Sequence, residues 1–82
     1  MAEIASEIAY DLLINVKELQ CPLPLLRAKQ ALVDMQSGQV LKVVATDDTT
    51  KMSFTAYLKK SGDELLKMEE HGGEIHHYIR KK

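Results

Sequence analysis

Two prolines in three residues, Pro22 and Pro24, constrain this 82-residue chain more than any other feature. A helix interior rejects proline, because the ring removes a donor and collides with the preceding turn; the first turn accepts it. Cys21-Pro22-Leu23-Pro24 therefore lies in a loop or opens a helix. The flanks decide. Leu12–Val16 (LLINV) is a short apolar run that reads as a strand, and Leu25, Ala28, Leu32 and Met35 recur at i, i+3, i+7 and i+10, one stripe of a helix. Arg27, Gln30 and Asp34 fall off that stripe and should be wet. The segment is a strand-to-helix junction, with Pro22 expected at the first helical position and Cys21 at the N-cap. Ser37-Gly38 is expected to end the helix.

Downstream, Val40–Thr46 (VLKVVAT) reads as a second strand and Asp47-Asp48-Thr49-Thr50 as a polar turn. Ser53 is placed to cap a second helix with Phe54, Tyr57, Leu58 and Ser61 on one face and Gly62 at its end. Met52, Phe54 and Tyr57 are expected in the core or at its edge. Glu64–Glu70 and Glu74–Arg80 are strand candidates joined by His71-Gly72-Gly73. The order is β-α-β-α-β-β. Strand, helix, strand implies a parallel pair with a right-handed crossover, and the last two strands should be antiparallel. Two helices cannot cover both faces of four strands. The expected fold is α+β: a two-layer sandwich, βαβαββ, with a four-stranded mixed sheet and both helices on one face.

Length allows one domain, residues 1–82, with residues 1–9 expected to be frayed; a chain this short buries roughly 60% of its unfolded surface. The charge balance is 11 Lys+Arg against 12 Asp+Glu, so no strong positive field exists to recruit nucleic acid or anionic membrane. No apolar run approaches the length of a spanning helix. The start, MAEIASEIAY, lacks the features of a secretory signal, so a soluble cytoplasmic protein is expected.

Cys21 is the only cysteine, which excludes an intrachain disulfide and a Cys-x-x-Cys redox pair. From the residues alone two readings stand. Free cysteine is often a buried apolar filler. Alternatively, the start of a helix favours thiolate over thiol and leaves the sulfur exposed enough to react without a histidine base. His71, His76 and His77 do not make a metal site, because neighbours on a strand point to opposite faces. Lys17, Arg27 and Lys29 flank the motif as a basic rim that could dock an acidic partner, with Glu18 and Asp47 on the same surroundings. Asp47 is also placed to cap the turn at Thr49 or Thr50.

Cys-Pro-Leu-Pro at 21–24 followed by Leu25-Leu26-Arg27-Ala28-Lys29, then Thr46-Asp47 and Gly62-Asp63-Glu64-Leu65-Leu66, resembles the TusA/SirA-like family of small sulfur carriers. The resemblance runs from about Leu12 to Ile79. It implies the two-layer βαβαββ sandwich, a persulfide on Cys21 positioned by Pro22 and Pro24, and no cofactor beyond the covalently carried sulfane sulfur. A cysteine desulfurase or rhodanese-like donor would load it and another protein's cysteine would unload it, through transient complexes of a monomer. The pathways that would use such a carrier are tRNA thiolation, cofactor assembly and sulfur oxidation. The family usually has Asp and Gly where this chain has Asn15 and Glu18, His at Asp63 and Pro at Asp48. Competing classes are a non-catalytic module binding protein or RNA, and a thiol-based regulator.

Overall fold

A computed structural model describes residues 8–82. The elements are β1 (Leu12–Val16), α1 (Leu23–Asp34), β2 (Val40–Ala45), α2 (Thr50–Ser61), β3 (Glu64–His71) and β4 (Glu74–Arg80). The expected order is therefore observed. Most of the segment expected to be frayed lies outside the described residues.

One sheet runs β1-β2-β4-β3. β1 pairs parallel to β2, Leu12 opposite Leu41 and Val16 opposite Ala45. β4 is antiparallel to both β2 and β3, with Leu41 opposite Ile79 and Val43 opposite His77. Valine-rich β2 (VLKVVA) suits a central strand, since branched side chains pack well on a pleated surface. Its alternation sends Leu41, Val43 and Ala45 to one face, where they meet Ala28 and Leu32 of α1 and Phe54 and Leu58 of α2. Both helices therefore cover the same face. On the other face the Lys42 ammonium lies 5.2 Å from the ring centres of both Tyr10 and Tyr78, a doubly cation–π arrangement.

The β3–β4 hairpin closes through Gly72 and Gly73, at φ +55° and +87°, with His71 opposite Glu74. A two-residue turn with both central residues at positive φ matches the twist of the strands it joins, which explains the glycine pair. A bulge between Leu65 and Lys67 shifts the register of β3, so that Met68, rather than Lys67, faces the helices opposite His77.

Five expectations are corrected. α2 begins at Thr50, three residues before Ser53, because the Asp47 side chain and backbone carbonyl anchor its start. β2 ends at Ala45, leaving Thr46 free to bond the loop after β1. α1 ends at Asp34 with Met35 as its C-cap, and Gly38 belongs to the following turn. Met52 is 81% exposed, because it lies more than a quarter-turn from the Phe54 face of α2. His77 is fully buried rather than solvated, stacked on Phe54 at 4.4 Å between ring centres.

Candidate functional site

Cys21 is a free, exposed thiol. It sits in the loop from β1 to α1, one residue earlier than expected: Pro22 is the N-cap, Leu23 and Pro24 open the helix, and the Cys21–Pro22 peptide is cis. The first turn is poor in free donors. Pro24 has no N–H, and the Leu23 N–H is already donated to the Gln20 carbonyl at 2.8 Å. Pro24 is buried against the core, so the ring that opens the helix also pins it to the sheet.

The cysteine loop is held from across the fold. Asp47, just beyond β2, accepts the Cys21 N–H on Oδ2 at 2.6 Å. Its Oδ1 accepts both the Thr49 N–H at 3.0 Å and the Thr49 hydroxyl at 2.8 Å. One carboxylate thus caps the start of α2 and ties Cys21 to it. These donors, led by the Thr49 N–H and then the Cys21 N–H, hold the Asp47 carboxyl below the ordinary carboxylate range. The expected cap at Thr49 is present, and the bond to Cys21 is an addition that the sequence pattern did not announce.

A second tie joins the same two loops. The Glu18 N–H is donated to Thr46 Oγ1 at 2.9 Å. Glu18 holds this position with φ +71°, a left-handed backbone that suits glycine and strains a residue with a Cβ.

Below the loop, Thr50 donates its hydroxyl to the Asp47 carbonyl at 2.8 Å, and its Oγ1 lies 3.1 Å from His77 Nε2. With that hydroxyl hydrogen committed, the oxygen can only accept from the ring, so His77 carries its proton on Nε2. His77 Nδ1 is buried without a hydrogen-bond partner. Protonation would place a charge and an unpaired donor in the core, and burial, with a smaller contribution from neighbouring His76, lowers the His77 pKa to about 4.

Cys21 opens into a cleft of about 430 Å³ shared with Glu18, Thr46, Asp47, Asp48 and Thr49. Its surroundings carry carboxylates and hydroxyls. The flanking cations stand elsewhere. Lys17 pairs with Glu74 at 3.1 Å, and with Arg27 it lines a separate cleft of about 470 Å³ between β1 and α1. Lys29 lies on the other side of α1, its ammonium 4.8 Å from the centre of the Tyr57 ring. Lys17 and Arg27 come together; Lys29 does not join them. His71 and His76 rings approach to 5.3 Å, and no group of three or more potential ligands for a metal ion occurs among the described residues.

The family model described as "Sulfurtransferase TusA" matches residues 13–81. The chain belongs to this family. It is 46% identical over 72 residues to the sulfur carrier protein TusA of Allochromatium vinosum, covering 88% of this chain and 95% of that one. A TusA sulfur carrier of Pseudomonas putida is 33% identical over 72 residues, with 88% and 90% coverage. Among solved structures, a SirA-like protein from Desulfitobacterium hafniense superposes with a TM-score of 0.76 at 25% identity, covering 85% of this chain and 96% of that one. The βαβαββ sandwich is thus a TusA-family fold, and sulfur relay between donor and acceptor proteins is the role that membership supports. Among the described residues, no helix is long and apolar enough to cross a membrane.

Proposed function

We propose that this protein carries sulfane sulfur as a persulfide on Cys21, in cytoplasmic sulfur trafficking. The observation that supports it best is the exposure of the chain's only thiol, on a loop tied down by Asp47 and rigid prolines, in a member of the TusA family. In the loading step, the Cys21 thiolate attacks the outer sulfur of a donor persulfide, and the donor's cysteine thiolate leaves as its S–S bond breaks. In the unloading step, an acceptor thiolate attacks the outer sulfur on Cys21, and the Cys21 thiolate leaves. Each step forms one S–S bond and breaks one, so no external oxidant or reductant is consumed.

The absence of a second cysteine serves this chemistry. With no resolving thiol in the chain, the persulfide cannot close to an internal disulfide and persists until a partner arrives. Asp47 holds the loop, so that the sulfur is presented in one place rather than swept through many. The donor is a cysteine desulfurase or a rhodanese-like protein, the acceptor is another protein's thiol, and both meet a monomer in transient complexes. Arg27, which lines the β1–α1 cleft with the Glu74-paired Lys17, provides a cationic group for acidic partners. Lys29 adds charge on the opposite side of α1.

Incubation with a cysteine desulfurase and L-cysteine should add about 32 Da, one sulfur atom, to the intact protein. Peptide mapping should place that mass on Cys21, and Cys21→Ser should gain none. A Cys21→Ser protein that still acquires the added mass would overturn the proposal.

A further inference from the structure

A groove lies between α2 and β3. Met52, Ala56 and Thr55 of α2 and Met68 of β3 form its floor, and Lys59 and Lys60 stand at its rim, around a volume of about 610 Å³. Met52 is 81% exposed, and both lysines are exposed without an ion pair among the described residues. Lysines in the last turn of α2 suit the negative end of the helix. That preference does not account for a methionine turned to solvent beside them. Methionine is the apolar side chain best able to mould itself to different partners, and methionine-lined grooves are a feature of peptide-binding surfaces.

The groove lies next to the cysteine cleft along α2. Lys51 lines the groove and Asp48 lines the cleft, and the two form an ion pair at 3.1 Å. Lys51 is also bonded to Glu70 of β3 at 2.9 Å, so its charge is spent within the fold. The charge left for a visitor is that of Lys59 and Lys60, which attracts carboxylates and repels a basic segment.

We propose that this groove docks an acidic amphipathic segment of the proteins that load or unload Cys21, its apolar side chains on Met52 and Met68 and its carboxylates on Lys59 and Lys60. This rests on the carrier reading, and it adds a site about one helical turn along α2 from the cysteine cleft that selects which proteins reach the sulfur.

The test uses the full chain and a synthetic sixteen-residue helical peptide with Leu at i, i+3, i+4 and i+7 and Glu on its other face. A short glycine linker ends in a cysteine held as a mixed disulfide with thionitrobenzoate. The Cys21 thiolate attacks the peptide sulfur, the new S–S bond tethers the peptide, and thionitrobenzoate leaves and is read by its absorbance. A seated peptide raises the effective concentration of its disulfide, so its reaction should be faster than that of the Lys-for-Glu peptide by about tenfold. Met52→Glu should abolish the advantage, and Lys59→Glu with Lys60→Glu should transfer it to the Lys peptide. All variants should react with a small aromatic disulfide at the wild-type rate. Equal rates for the two peptides in the wild-type protein, or an advantage that survives these substitutions, would overturn the proposal. So would self-association through Met52 that accounts for the effect. If wild-type Cys21 fails to react even with the small disulfide, it is the carrier reading that fails.

Discussion

Replacing His77 should remove a pH dependence of folding that can be sized in advance. The imidazole drops from its ordinary 6.5 to about 4 in the folded protein. In the unfolded chain it titrates normally, so between these two values the unfolded state binds more protons and stability rises with pH. The contribution is complete above about pH 6.5 and is lost as pH falls through the window toward 4. The full difference is roughly 3 kcal/mol at about 1.4 kcal/mol for each pH unit of depression. Linkage assigns about 2 kcal/mol of that to the interval from pH 7 to pH 5. In a domain this small, such a loss lowers the melting temperature by on the order of 10 °C. Urea unfolding at pH 7, 6 and 5 measures it. His77→Gln and His77→Phe both remove the titrating group. Phe retains a ring against Phe54, and Thr50 stays satisfied in either case because its hydroxyl is donated to the Asp47 carbonyl. Their absolute stabilities will differ from wild type, but their losses between pH 7 and pH 5 should be smaller by the calculated amount. A variant whose pH slope over that interval equals the wild-type slope refutes the buried, neutral histidine.

Two further substitutions test the loops around the sulfur. Glu18→Gly should stabilise the protein by up to about 1 kcal/mol, the left-handed backbone penalty less the greater freedom of unfolded glycine; a lower urea midpoint would show that the +71° backbone is not strained. Asp47→Ala removes the acceptor of three hydrogen bonds, including that of the Cys21 N–H. It should lower the melting temperature at neutral pH. Because Asp47 is held below its ordinary 3.8, this advantage of wild type persists above that value and fades as pH falls through the lowered one. A gap between the two proteins that is unchanged at strongly acid pH would contradict the charge-assisted clamp.

The elements were legible where a periodicity or a chain-breaking residue spoke locally. The α1 stripe of Ala28, Leu32 and Met35 is buried, and the strand-to-helix junction at Pro22 and Pro24 lies where two prolines allow one. Glycines 72 and 73 marked their hairpin for the same reason. What escaped the sequence was set by contacts between distant segments. The bond from Cys21 to Asp47 spans 26 residues, and the one between Thr50 and His77 spans 27. Neither is implied by propensity or spacing. The beginning of α2 is hidden from the sequence because the Asp47–Thr50 turn leads straight into the helix, and Ser53, a good cap by type, lies inside it. Alternation correctly separated His76 from His77, but burial of an imidazole among Ile75 and Ile79 depended on the Thr50 hydroxyl waiting for it. The cap of α1 moved by one residue, and with it the cysteine passed from the helix to the loop that Asp47 holds. A family resemblance supplied the chemistry that local physics left between filler and reactive thiol.

The most direct test of the account follows a single sulfur atom in and out. Protein loaded with 35S-labelled sulfane sulfur, freed of its donor, is mixed with a reduced acceptor protein, and label and intact mass are followed together. The account predicts that the label moves to the acceptor as the protein returns to its unmodified mass, with the Cys21 thiol regenerated one for one. Label that stays on the protein, or that leaves with Cys21 consumed as a stable mixed disulfide, would contradict it.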